Sequence, residues 1–330
     1  MFEKISYLSK RIVKMNYKKF FDVINRIHQK TNKNRVVLFF DIVYCGLRYQ
    51  AGYTDYESFA MYNLNSKQRK TILTRGINNH LVKKYNDPNY IHYFVNKNEF
   101  DKKFNKFLKR DWLYLDGNNE EEFNKFIKDK KEIIVKPIDG THGDGVKKIK
   151  PNKNTYKKLI KEKLLLVEEV IQQSEEMNKL NPNSVNTVRV ITFNENDQCT
   201  IVVACLRIGN KKIIDNFNGG GMVVPINLKT HKVEFPAVDK DGHVYYKHPV
   251  TKTDIVGFEI PEFKKIEKLV LEASKQVPQV GYIGWDVAIS KKGPCLVEGN
   301  EFPSHDLFQL PPHSTDGIGI LPEFQKVLKK

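Results

Sequence analysis

A chain of 330 residues with 40% hydrophobic content can bury a sizeable core and divide into two or three lobes, which excludes a disordered tail. Its four cysteines, Cys45, Cys199, Cys205 and Cys295, show no CxxC spacing; they read as reduced thiols of a cytoplasmic protein and disfavour a structural zinc site. The formal charge of +16 would suit nucleic acid, but its uneven distribution disfavours that partner.

Half of the surplus lies at the start. From Met1 to Arg35, ten Lys/Arg stand against Glu3 and Asp22, and Ile12, Val13, Phe20, Phe21, Val23, Ile24 and Ile27 fall among them at helical spacing. Such a stretch is either a basic amphipathic helix resting on anionic lipid at the inner face of the membrane or a solvated helix packed on its own domain. The run "VVLFFDIVYCGL" is broken by Asp41 and is too short to cross a bilayer, and no signal-peptide core precedes it. Residues 1–95 are predicted to be mainly helical, with breaks at "TNKN" and "NDPN". Helical spacing continues from Asn96 to Asn124 through Phe100, Phe104, Phe107, Leu108 and Phe123, interrupted at Gly117.

After Glu132 the texture changes. Short β-branched runs at 133–135, 164–167, 188–193, 200–206, 212–214, 222–226, 283–289 and 295–297 mix with helical patterns near 154–162 and 262–276, which predicts an α+β fold and not a doubly wound sheet. The first run ends in Lys136 and leads into "GTHGDG", with Gly140, Gly143 and Gly145 around Thr141 and His142. Glycine lets backbone N–H groups turn onto an anion, so the loop is either a mobile phosphate cover or a flexible hairpin turn. Its G-x-x-G-x-G order matches neither the dinucleotide fingerprint nor the P-loop.

Two hairpins carry charge. "NTVRVITF" and "CTIVVACLRIG" flank the turn "NENDQ"; centring on Asn196 pairs Thr187 with Cys205 and puts Arg189 and Arg207 on one face, as suits bidentate contact with phosphate or carboxylate. In "GYIGWDVAISKKGPCLVEGNEFP", centring on Lys292 sets Asp286 opposite Glu298, with Asn300 on the same face. Opposed like charges repel unless a cation or an arginine lies between them, and oxygen-only donors select Mg²⁺ or Mn²⁺. A one-residue slip would instead send Glu298 to the other face.

A lysine-bearing strand, a glycine loop, two arginines and a carboxylate pair with an asparagine together suit a nucleoside triphosphate with magnesium. "IIVKPIDGTHGDGV", "LLVEEVIQQ", "NSVNTVRVITF", "DNFNGGGMVVPI", "GYIGWDVAI" and "LVEGNEFPSHDLFQ" resemble, in family order, the sugar-transfer-associated ATP-grasp family, relatives of glutamate-ligase-like proteins. The resemblance covers roughly residues 35 to 325 and implies an ATP-grasp fold, with two α+β lobes, 96–167 and 168–330, sandwiching ATP behind the helical region 1–95. It further implies that Lys136, and Lys97 in "VNKNEF", hold the nucleotide and that the 140–145 loop covers its phosphates. Glu168 and the backbone at Glu169 and Ile171 would bind adenine, and Glu175 or Glu176 the ribose. Asp286, Glu298 and Asn300 would hold magnesium, their oxygens facing Lys136 across a cleft. The helical first third replaces the α/β domain usual in such ligases, which leaves the substrate open.

The mechanism so implied is acyl-phosphate chemistry: a carboxylate attacks the γ-phosphoryl group of ATP, Arg189 and the metal neutralise charge, and an amine displaces phosphate. None of the nine histidines forms an evident base pair with a nucleophile, so His142 and His305 are expected only as contacts. The expected function is a carboxylate–amine ligase of cell-surface polysaccharide assembly, its carboxylate sugar-linked. The alternatives are a phosphotransferase acting on a sugar hydroxyl and a non-catalytic nucleotide- or nucleic-acid-binding protein.

Overall fold

A computed structural model describes residues 15–140, 145–195, 198–210 and 215–328. Two compact units divide the chain: one contains residues 1–81 and 305–330, the other residues 82–304.

The first unit is helical. Helix α1 (Tyr17–Thr31) starts where the Asn16 side chain accepts the Lys19 N–H and ends at Asn32 in the left-handed region. Helix α2 (Arg35–Tyr49) is capped likewise by Asn34 and stops at left-handed Gln50. Such side-chain acceptors satisfy helix N–H groups that have no partner within the helix. Phe20, Val23, Ile24 and Ile27 of α1 meet Leu38, Ile42, Cys45 and Tyr49 of α2 in one core. The expected inward face of α1 is thus present except at Phe21, which is half exposed; Ile12 and Val13 lie outside the described residues.

The second unit holds two sheets. Strands β1 (Trp112–Tyr114), β2 (Ile133–Lys136), β3 (Lys147–Ile149) and β4 (Leu166–Glu169) form a small antiparallel sheet in the order β1-β4-β2-β3. Strands β5 (Thr187–Glu195), β6 (Gln198–Ile208), β7 (Met222–Ile226), β8 (Ala237–Asp239), β9 (Val244–Tyr245), β10 (Tyr282–Ser290) and β11 (Gly293–Asn300) form a large one in the order β11-β10-β5-β6-β7-β8-β9. The helix Phe263–Ser274 packs Ile266, Val270 and Ala273 into the same core as Val188, Val190, Trp285 and Val287 of the large sheet.

Several elements depart from expectation. Residues 112–114 form a strand inside the stretch expected to be helical, because Trp112–Tyr114 has β4 to pair with. Strands β3, β8 and β9 are three residues or fewer and too short to show alternation. The expected run at 212–214 falls outside the described residues.

Candidate active site

Strand β10 is buried along all nine residues, between β5 and β11. Asp286 stands opposite Arg189 on one side and opposite Glu298 on the other. The hairpin turn is tighter than a centre at Lys292 implies: Ser290 pairs with Gly293, and a bulge between Asp286 and Val287 adds the residue that restores the expected pairing at the site. In the other hairpin the register is one residue off expectation beside the turn and, beyond an irregularity between Ile191 and Thr192, two residues off at the site, so Thr187 opposes Arg207 and Arg189 opposes Cys205. A shift of two keeps every side chain on its face, so both arginines still reach Asp286.

Arg189 binds both Asp286 oxygens, its Nε at Oδ1 and its Nη2 at Oδ2 at 2.8 Å, while Arg207 Nη1 donates to Oδ2 at 2.5 Å. Arg207 also holds Asp215 at 3.1 Å, whose carboxylate accepts from the Thr187 N–H at 2.9 Å and from the Thr187 hydroxyl. Burial alone would raise the Asp286 pKa, but the two guanidinium groups outweigh it and hold the carboxyl well below the usual range. Glu298 moves the other way: crowding by protein atoms and then the Asp286 charge push it up, an effect tempered because its side chain is reached by solvent. Asn300 Nδ2 lies 3.4 Å from Glu298 Oε1.

The small sheet carries a second cluster. Lys136 Nζ lies 2.7 Å and Arg110 Nη2 2.9 Å from Glu168 Oε1, all three side chains buried. Arg110 Nη1 also donates to the Leu296 carbonyl at 2.5 Å, so that Arg110 links Glu168 of β4 to strand β11. Burial would raise the Glu168 pKa, but Arg110 and Lys136 hold it well below the usual range. Asp101, on the helix Lys97–Lys103, is pushed up to about 8 by burial and then by the Glu168 charge. Its nearest cation, Arg110, is 3.9 Å away, and its Oδ2 has no hydrogen-bond partner, which fits a neutral carboxyl better than an ion pair. Lys97 is half-buried and donates to the Gly140 carbonyl at 2.8 Å; its pKa is lowered by burial and then by Lys136, while the Glu298 charge acts in the opposite sense. The Lys97 ammonium therefore lies within electrostatic reach of both clusters.

Glu169 and Ile171 line a cleft of about 230 Å³ together with Arg110, Gln172 and Cys295, beside the Glu168 cluster. The Glu168 carboxylate itself is turned to Lys136 and Arg110. Glu175 and Glu176 are both exposed in the first turn of the helix Glu175–Leu180. Gly140 and Gly145 have positive φ, and a Cβ at Gly145 would meet the Pro137 ring at 3.0 Å, so a side chain is disfavoured there on two grounds. Thr141, His142 and Gly143 lie outside the described residues. His305, in the other unit, donates from Nε2 to the Asp55 carboxylate at Oδ1, 3.0 Å away.

Arg110, Asp101 and Asp215 were not singled out from sequence. Asp215 opens the quoted "DNFNGGG", but Arg110 and Asp101 carry no local signal, since each acquires its meaning from a partner on another element.

The donor set suits a hard divalent cation, and Glu298 supplies the test. Crowding and the neighbouring Asp286 charge both disfavour its ionised form, and it has no ion-pair partner among the described residues; a divalent cation would favour that ionised form. The residues fit, with one amendment: both Asp286 oxygens are engaged by guanidinium groups, so Glu298 and Asn300 are the donors without an ion-pair partner among the described residues.

A small antiparallel sheet bearing the lysine cluster and a larger one bearing the oxygen donors belong to an ATP-grasp protein. Specifically, the chain belongs to the sugar-transfer associated ATP-grasp family, whose model matches residues 76–328. No curated protein matches the chain. Among solved structures it is similar to D-alanyl-alanine synthetase A from Vibrio cholerae, at 13% identity over 73% of this chain and 61% of that one, TM-score 0.43. It is also similar to the ATP-grasp ligase PsnB complexed with minimal precursor, Mg and ADP, at 13% identity over 80% and 68%, TM-score 0.42. A third is the D-alanine–D-alanine ligase from Bacillus anthracis, at 16% identity over 81% and 77%, TM-score 0.41. The chain spans about three-fifths of the Vibrio enzyme's length. At such scores membership rests on the family match alone.

Proposed function

We propose that the protein is an ATP- and magnesium-dependent ligase that joins a carboxylate to an amine through an acyl phosphate. The observation that carries this is the position of Lys97, whose ammonium senses both the cationic cluster at Lys136 and the oxygen donors at Glu298. A polyphosphate spanning that distance would meet cations at one end and a metal site at the other.

In this reading the small sheet and the hinge, within 96–167 and at 168–171, and the large sheet beyond them are the two ATP-binding lobes. Adenine enters the cleft at Glu169 and Ile171, the ribose is held by Glu175 or Glu176, and Lys97 and Lys136 hold phosphates, under a loop that includes Gly140 and Gly145. Glu298 and Asn300 would hold the metal, Mg²⁺ or Mn²⁺, beside an Asp286 whose oxygens Arg189 and Arg207 engage, and the ion when bound would neutralise charge on the phosphoryl oxygens. Arg189 and Arg207 serve the acyl-transfer step from the same face. Because Asp286 neutralises them in part and fixes their planes, they are pre-oriented for anionic oxygens and need no rearrangement to present N–H donors. The attacking carboxylate is already ionised, and the proton that the amine loses on forming the amide goes to the departing phosphate.

The family's name and the net positive charge support a sugar-linked carboxylate and a role in cell-surface polysaccharide assembly, with the reaction in the cytoplasm where ATP is supplied. The test scores ATP consumption against panels of carboxylic acids with and without amines and identifies the product by mass. An amide with ADP and phosphate is the expected product. A phosphorylated sugar with ADP would assign the protein to phosphoryl transfer, and no acid-dependent turnover with any amine would remove the ligase reading.

A further inference from the structure

Helix α2 is apolar on two opposite sides. Leu38, Ile42, Cys45 and Tyr49 face the core, whereas Val36, Val37, Phe40, Val43, Tyr44 and Leu47 are exposed, Val36, Val37 and Phe40 each by more than 60%. At 100° per residue the two sets centre about 180° apart, and no charged residue of α2 falls within the outer set. Phe21 of α1, itself half exposed, stacks on Phe39 of α2 at 6.4 Å, and Tyr17 extends the same apolar strip. Soluble surfaces rarely leave so continuous a stripe of aromatic and aliphatic side chains to water without a partner.

Charge indicates the partner. Between Met15 and Gln50 there are seven Lys/Arg against Asp22 and Asp41. Asp41 is neutralised by a bidentate pair with Arg69, at 2.7 Å through each nitrogen. Lys18, Lys19, Lys30 and Arg48 make no ion pair among the described residues, and Lys33 and Arg35 bond only to neutral oxygens, the Tyr62 carbonyl and the Asn25 amide. A second copy of the chain docked on this stripe would bring two cation-rich rims together, since a two-fold interface sets each patch against itself. An anionic bilayer surface satisfies both features at once: the apolar side chains enter the headgroup boundary and the lysines remain at the phosphates. Spanning is excluded for this helix, because its 15 residues extend only about 22 Å, and no helix of the described residues is long and apolar enough to cross a membrane.

We infer that the outer face of α2, with Phe21 and the cations of α1, is a docking surface for anionic lipid bilayers. Lipid binding here needs neither ATP nor substrate, so its failure would leave the ligase reading standing.

The test is flotation of the full chain with vesicles of phosphatidylcholine and phosphatidylglycerol mixed two to one, beside vesicles of phosphatidylcholine alone. The protein is expected to float with the mixed vesicles and to remain behind with the neutral ones. Phe40→Glu with Leu47→Glu should lower the partition coefficient about tenfold or more, as should Lys18→Glu with Lys19→Glu. These positions are exposed, so helix content by circular dichroism should stay unchanged. No flotation with the mixed vesicles overturns the inference, as does flotation that neither pair of substitutions weakens. A lipid-free dimer in light scattering that Phe40→Glu dissociates would overturn it in favour of a second copy.

Discussion

The two charge clusters of the second unit differ in what they lack. On the large sheet, Asp215 and Asp286 share two guanidinium groups, Arg189 and Arg207, and a third carboxyl, Glu298, stands opposite Asp286 without an ion pair among the described residues. Around the small sheet, Lys136 and Arg110 share Glu168, with Lys97 within electrostatic reach and an Asp101 whose pKa near 8 keeps it largely neutral at pH 7. One cluster is short of a cation and the other of an anion. A metal-bound polyphosphate would satisfy both at once. The contrast also separates members by their partners: Asp286 and Glu168 are saturated by internal ion pairs, while Glu298 and Lys97 make no ion pair among the described residues and are less buried.

The largest effect should come from Asp286→Asn. Removing the carboxylate leaves Arg189 with no ion-pair partner in a buried setting, and loss of one member of such a pair costs about 3–5 kcal/mol. Denaturant unfolding monitored by circular dichroism would show it; a loss below about 1 kcal/mol would mean that the pair is solvated and that Asp286 does not hold the fold.

Glu298→Gln should separate the two kinds of group. The fold should persist, because this side chain is solvent-accessible and forms no ion pair, while ATP turnover should fall by about 10²–10³. Turnover close to that of the unmodified protein under saturating Mg²⁺ would remove Glu298 from the metal site.

A smaller change is expected for Lys136→Gln. Glu168 keeps Arg110, so stability should fall less than in Asp286→Asn, and loss of a charged donor should raise the KM for ATP by about tenfold. An unchanged KM together with a large loss of stability would make Lys136 purely structural.

The mildest test is one of pH. Asp101 has a folded pKa raised to about 8, so its share of stability is fully present below its unfolded pKa and is lost as pH rises, the loss ending once pH passes the folded value. Asp101→Asn stays neutral throughout. Relative to the unmodified protein the variant should therefore gain stability between about pH 4 and pH 8, on the order of 1 kcal/mol or more at the upper end. Parallel pH profiles would show that Asp101 is ionised and paired with Arg110 after all.

Much of the large-sheet cluster was legible in the sequence, because strand alternation and a hairpin turn fix which residues share a face. Asp286, Glu298, Arg189 and Arg207 came together even though both hairpins carry bulges or shifted turns. A shift of two preserves the face, and the bulge in β11 offsets the tighter turn at Lys291 and Lys292. The basic amphipathic character of α1 was equally local, a matter of spacing along one helix. Tertiary structure alone decided the rest. Arg110 bridges Glu168 to the Leu296 carbonyl across 186 residues of sequence, and Asp101 is neutral only because Glu168 lies beside it in a buried setting. Which apolar face of α2 meets the core could not be read from a helix apolar on both sides; the choice fell to α1, whose single apolar face selected one and left the other outward. The physical reason is the same in each case: periodicity is written within a segment, whereas desolvation and charge pairing belong to contacts between segments.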